Sequence, residues 1–172
     1  IPRNYSTRRP VDDLPALFQE RVADYQATVR RIGSDEVPEA VAAVLREHRA
    51  RRVLAPRGLP WRSALAERFV LEDGIGAEAV ELDGMDAVVT VAAVGIALTG
   101  TIVLDHGPGQ GRRAATLVPD VHICTVAEDQ IVDDVPAALA RLDSTRPLTF
   151  ISGPSATSDI ELDRVEGVHG PR

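Results

Sequence analysis

The sequence predicts an α/β fold: a largely parallel sheet flanked by helices, with a separate helix ahead of it at the N-terminus. Three observations carry this. Short apolar runs alternate with helical periodicity and tight turns through most of residues 38–165. The run from Ala87 to Ala92 hardly alternates apolar with polar residues, which is the pattern of a strand covered on both faces. At 172 residues, 44% hydrophobic and 26% charged, the chain is long enough to bury the core such a sheet needs. Aromatic residues are only 3% of the chain, so that core must be built from Val, Leu, Ile and Ala.

Residues 1–37 read as an N-terminal extension ending in an amphipathic helix, and residues 38–172 as one α/β domain. Asp12 and Asp13 open the helix, Pro15 is tolerated in its first turn, and Gly33 ends it. Leu14, Leu17, Phe18, Val22, Tyr25, Val29 and Ile32 recur at spacings of three and four and form one apolar stripe. Tyr5, Phe18 and Tyr25 are half of all the aromatic residues, so this stripe must dock on the domain or on a partner.

Pro38 starts a second helix with Val41, Val44 and Leu45 inward. Arg52–Pro56 reads as a short strand, Trp61–Arg68 as a helix, and Phe69–Leu71 as a strand. Gly74 and Gly76 break the chain before the Ala87–Ala92 strand. Gly95–Thr101 reads as a tight connection into the strand Thr101–Asp105. Gly107-Pro-Gly-Gln-Gly111 is a turn, and it suggests one antiparallel insertion. Val121–Val126 reads as another buried strand, Asp133–Leu142 as an amphipathic helix, and Leu148–Ser152 as the last buried strand.

Bulk properties exclude several classes of function. A net charge of −7 argues against a nucleic-acid partner. The single cysteine, Cys124, precludes an intrachain disulfide, a thiolate zinc site or an iron–sulfur cluster built from this chain alone. No apolar run reaches the roughly 18 residues of a membrane span. No secretory leader is visible, so cytoplasmic residence is expected. The histidines lack metal-ligand spacing, and no metal site is expected. There is no Gly-x-Gly-x-x-Gly after the first strand, no Walker loop and no Gly-x-Ser-x-Gly elbow.

Two stretches carry residues suited to a ligand site, and open α/β sheets bind ligands outside the carboxyl ends of their strands. In Gly95–Thr101, glycines allow close backbone approach, and Thr99, Gly100 and Thr101 offer hydroxyls and amides to a ligand. The same loop is equally readable as a plain tight turn. In Ser152–Arg172, Gly153, Ser155, Thr157 and Gly170 could cradle an anion. Asp159 or Glu161 could move a proton or hold a substrate hydroxyl, and His169 lies between glycines in a shaped turn. Against this, Ser158-Asp-Ile-Glu161 fits a capping box, with Ser158 as N-cap of a short acidic helix, which would explain those residues with no ligand at all. His122 reads as a core histidine and Cys124 as an inert thiol within its strand.

Ile151-Ser-Gly-Pro-Ser-Ala-Thr-Ser-Asp-Ile-Glu161, followed by Gly167-Val-His-Gly-Pro171, resembles the C-terminal signature of the LUD-domain family, and within it the lactate utilization protein C group. Gly95-Ile-Ala-Leu-Thr-Gly-Thr-Ile-Val-Leu104 is similar to the family's other motif, in the expected order and spacing. The resemblance covers roughly residues 40–172. It implies a fold like that of CoA-transferases and ribose-5-phosphate isomerase. It also implies a part in oxidising L-lactate to pyruvate beside iron–sulfur partner proteins that carry the clusters this chain lacks. A small anionic ligand is the further expectation. The positions of Leu98 and Ala156 are often acidic and arginine, respectively, in relatives, so this chain departs from the pattern there. An independent isomerase-like or transferase-like enzyme acting on a small phosphorylated or carboxylate substrate, and a non-catalytic scaffold, stand as the alternatives. The pathway name leaves open whether this subunit is an enzyme.

Overall fold

The computed structural model describes residues 12–153, 156–158 and 164–166. Helix α1 (Leu14–Ala23) begins where Asp13 accepts a hydrogen bond from the Ala16 amide at 2.9 Å. It stops ten residues short of the expected end. The amides of Asp24, Tyr25 and Gln26 turn back onto Glu20, Val22 and Ala23, and Gln26 takes a φ of 64°. The apolar spacing of Tyr25, Val29 and Ile32 is therefore not helical: Tyr25 leaves the helix and reaches the body of the protein.

Helix α2 (Val37–Glu47) buries Val41, Ala42 and Leu45. Strands β1 (Arg52–Leu54), β2 (Val70–Glu72), β3 (Ala87–Val91) and β6 (Val121–Thr125) form a fully parallel sheet in the order β2-β1-β3-β6. Helix α3 (Arg62–Ala66) connects β1 to β2, and α4 (Ala79–Asp83) connects β2 to β3. A helix as short as α4 leaves no periodicity to read in sequence.

Strand alternation divides the core. Val53, Ala87 and Val89 pack with Leu45 and Leu65 on one face, and Leu54 and Val88 pack with Leu82, Met85 and Ala115 on the other. Burying a leucine contributes about 1.5–3 kcal/mol, whereas an exposed ion pair contributes about 0–1 kcal/mol. Leu45, Leu54, Leu65 and Leu82 are fully buried. They therefore hold these layers together more than the surface pairs do, such as Arg46–Glu39.

A second sheet runs β7-β4-β5-β8, from β4 (Val94–Ile96), β5 (Thr101–Leu104), β7 (Ile131–Val132) and β8 (Thr149–Ile151). Strand β5 is antiparallel to both β4 and β8. The expected connection at Gly95–Thr101 is thus half strand: Gly95 and Ile96 belong to β4, and only Ala97–Gly100 turns the chain. The antiparallel pairing arises at this hairpin and not at Gly107–Gly111. Helix α5 (Val135–Arg141) covers one face of the sheet through Ala138, and α1 covers the other through Phe18.

Two strands expected to be buried lie at sheet edges. Residues of β6 are only half-buried, and Phe150 of β8 is 46% exposed. The helix expected from Ser158 would begin in residues 159–163, which lie outside the described residues. Strand β9 (Ala156–Ser158) pairs antiparallel with β10 (Arg164–Glu166), so Ser158 itself belongs to a strand. No helix among the described residues is long and apolar enough to cross a membrane.

Candidate functional site: a motif junction and a crevice at the strand ends

The two sequence motifs meet. Thr99 Oγ1 lies 2.7 Å from Thr101 Oγ1, which lies 2.8 Å from Ser152 Oγ, so three hydroxyls form a chain from the β4–β5 turn to the end of β8. The motif glycines face protein here. Gly95 is covered by Phe18, Gly100 by the backbone of Arg21, and Gly153 by the ring of Tyr25. Tyr25 also donates its hydroxyl to the Thr99 carbonyl at 3.3 Å. The close approach these glycines permit is therefore made by the N-terminal segment. Thr157 is placed only by its backbone, in register with Val165. Ser155, Asp159, Glu161, His169 and Gly170 lie outside the described residues.

The carboxyl ends of the parallel strands carry a different set of groups. Strand order reverses between β1 and β3, the position where a doubly wound sheet opens a crevice. The Gly107–Gly111 turn is wedged into that crevice. The Gly109 amide donates to the Arg57 carbonyl beyond β1 at 2.8 Å, and its carbonyl accepts from Val91 of β3 at 3.1 Å. Gly109 has a φ of 78°, and a Cβ there would meet the Val91 side chain at 2.9 Å, so the wedge requires glycine.

A cavity lies on each side of this turn, and Gly107 lines both. The smaller, about 290 Å³, is lined by Arg57, Asp73, Gly74, Gly76 and Arg112. Arg57 Nε contacts Asp73 Oδ2 at 2.7 Å. The Ile75 amide, followed by Arg57, holds the Asp73 carboxyl below its usual pKa. The larger, about 610 Å³, opens between the end of β3, the turn after β5 and the end of α5. Asp105, Gln110, Arg141 and Arg146 supply its polar wall, and Val91, Val94 and Leu142 its apolar wall. Arg146 Nη1 donates to Asp105 Oδ2 at 2.9 Å, and Asp105 Oδ1 accepts from the Gly107 amide at 3.1 Å.

None of these cavity residues stood out in sequence as a ligand-binding group. Only the Gly107–Gly111 turn and the chain-breaking Gly74 and Gly76 gave a signal, and that signal reads as turns. Elsewhere His122 Nε2 lies 2.9 Å from Thr90 Oγ1, and burial pushes its pKa down to about 4. Burial pushes the Cys124 thiol up to about 11, so it stays protonated and unreactive at neutral pH. Among the described residues no group of His, Cys, Asp and Glu side chains could hold a metal ion.

The LUD domain model matches residues 16–172. The chain belongs to the LUD-domain family. The match begins at residue 16, within α1. Lactate utilization protein C of Deinococcus radiodurans is 50% identical over 159 residues, which is 90% of this chain and 74% of that protein. Lactate utilization protein C of Halalkalibacterium halodurans is 29% identical over 183 residues, 93% of this chain and 76% of that one. In crystal form, a DUF162-family protein from Deinococcus radiodurans superposes with a TM-score of 0.76 at 40% identity, covering 92% of each chain. The α/β architecture of the family is thus the architecture of this chain.

Proposed function

We propose that this LUD-family chain is a cytoplasmic subunit of an L-lactate utilisation system and works beside iron–sulfur partner proteins in the oxidation of lactate to pyruvate. The observation that carries the reading is the 50% identity, across 90% of the chain, to a protein named for lactate utilisation. The oxidation releases electrons, and a chain whose single cysteine is a protonated thiol is poorly equipped to carry them. On this reading the partners hold the clusters, and this subunit binds a small anion or a partner surface. We assign that role to the hydroxyl chain of Thr99, Thr101 and Ser152 together with Ser155, Asp159, Glu161 and His169 of the C-terminal sequence motif.

The test is a chromosomal deletion grown on L-lactate as sole carbon source, with affinity capture of the tagged chain from native cells. Loss of lactate growth and recovery of iron–sulfur proteins are expected. Normal lactate growth of the deletion strain would sink the reading. A second reading is favoured by the crevice at the parallel strand ends: an independent isomerase- or transferase-like enzyme on a small carboxylate or phosphorylated substrate. It predicts turnover by the purified chain with no partner present, and none with any such substrate counts against it.

A further inference from the structure

We infer that the larger cavity is a binding site for a small carboxylate of the 2-hydroxy or 2-oxo acid class, held by Arg141, Arg146 and the side-chain amide of Gln110. The acid class rests on the lactate-utilisation reading. The site itself rests on geometry.

Gln110 is the first observation. It is only 5% exposed, and its Oε1 accepts from the amides of Asp105 at 2.6 Å and His106 at 3.1 Å. Two backbone donors fix which end of the side chain is oxygen. The Nε2 group therefore points the other way, and among the described residues it has no acceptor. No fully buried side-chain nitrogen or oxygen of the described residues lacks a partner, so Nε2 must border open space, and Gln110 lines the cavity. Gln130 on the same cavity shows the contrast. Its Nε2 donates to the Ala92 carbonyl and its Oε1 accepts from Ala127, which leaves the amide wholly structural.

Charge is the second observation. Arg146 is matched by Asp105, but Arg141 Nη1 is spent on the neutral carbonyl of Asp129 at 2.7 Å. The cavity wall therefore holds two guanidinium groups against one carboxylate, in a chain whose net charge is −7. Asp143, outside the wall, also attracts Arg146, so the Arg141 guanidinium is the charge that remains for an anion. Guanidinium groups match a carboxylate in shape as well as charge. Asp105 keeps lone pairs free beyond its bonds to Gly107 and Arg146, and these can accept a hydroxyl proton from the acid's second carbon. The apolar wall suits a short alkyl group, and the volume lies in the range of small-molecule sites.

The experiment is calorimetric titration of the purified full chain with L-lactate, pyruvate and inorganic phosphate, repeated on Arg141→Gln and Gln110→Glu. Gln110→Glu keeps the acceptor for the two backbone amides and removes the donor. Saturable binding of L-lactate or pyruvate is expected, weakened about tenfold or more in Arg141→Gln. Among the described residues the Arg141 side chain makes one hydrogen bond, to a backbone carbonyl, so that variant is expected to fold even where Gln110→Glu does not, and circular dichroism checks both. Failure of both acids to bind at millimolar concentration overturns the proposal, as does binding that Arg141→Gln leaves unchanged. Binding of phosphate in preference to either acid overturns the acid class. Lactate growth of the deletion strain is scored separately. A chain needed for growth that binds neither acid refutes this site alone, and a chain that binds while its deletion leaves growth intact refutes the pathway reading alone.

Discussion

The ring of Phe18 occupies the space above Gly95: a Cβ on that glycine would come within 3.2 Å of ring atoms Cε2 and Cζ. Phe18 is the buried anchor of α1, and the surrounding contacts come from partly buried Leu14, Leu17 and Val22. A helix of this length has little stability of its own and depends on its packed face. Phe18→Ala is therefore expected to cost about 3–4 kcal/mol of docking energy locally. Limited proteolysis checks it. The variant should be cut within residues 14–26 at protease levels that leave the native chain whole, while the parallel-sheet fragment survives. Equal resistance of the two proteins would show that α1 is not held by this contact.

Gly100 serves the same docking from the other side. It closes the β4–β5 turn with a φ of 59°, and a Cβ would meet the Arg21 carbonyl carbon at 2.6 Å. The left-handed conformation alone costs a non-glycine residue about 1 kcal/mol. The clash is with backbone, which cannot rotate aside, and overpacking adds roughly 1–3 kcal/mol. Gly100→Ala should therefore lower stability by about 2–4 kcal/mol, read as a lower denaturant midpoint. Gly76→Ala is the control: it has a positive φ of 73° but nothing within 4 Å, so it should lose only the conformational part.

How much of this was legible follows from the range of each interaction. The Ala87–Val91 strand was readable because burial on both faces writes itself into consecutive residues. The start of α1 was readable because Asp13 acts on an amide three residues away. Its end was not, since Tyr25, Val29 and Ile32 keep helical spacing while Gln26 turns the chain for a contact with residues 74 or more positions away. Strand β9 was not legible for the reverse reason: a Ser-x-x-Glu pattern is local, whereas the pairing of Thr157 with Val165 is set by the partner strand. Gln110 was illegible as a site residue. Its meaning depends on a sheet reversal between β1 and β3 that brings residues 91–94, 105–110 and 141–146 around one cavity.

Gln110 also supports the turn it sits in. Its Oε1 is the acceptor for two backbone amides in an interior position, so Gln110→Leu leaves both donors unsatisfied. Each unsatisfied buried donor costs about 1–3 kcal/mol. A loss of about 2–4 kcal/mol is expected for Gln110→Leu in chemical denaturation, against a smaller loss for Gln110→Glu, which keeps an acceptor there. Equal losses would show that the two amides find other partners.

His122 gives the fold a pH dependence whose sign is fixed by its surroundings. Its register partner is Val88, and its ring contacts Thr90 on the neighbouring strand, so the neutral imidazole is the form the fold accepts. Burial holds the folded pKa at about 4, below the usual 6.5. The unfolded chain then binds a proton that the folded chain refuses as pH falls between those values. The stability associated with the neutral ring is fully present above about pH 6.5 and is lost progressively toward pH 4. The loss attributable to this residue is on the order of 2 kcal/mol, below the full linkage value because the ring keeps partial solvent access. Denaturant midpoints measured between pH 7.5 and 4.5 check it, with His122→Gln as the reference. Glutamine retains a hydrogen-bonding group toward Thr90 but cannot take up the proton. The native chain should lose stability more steeply than the variant across that window, and parallel curves would place the acid sensitivity in the carboxylates instead.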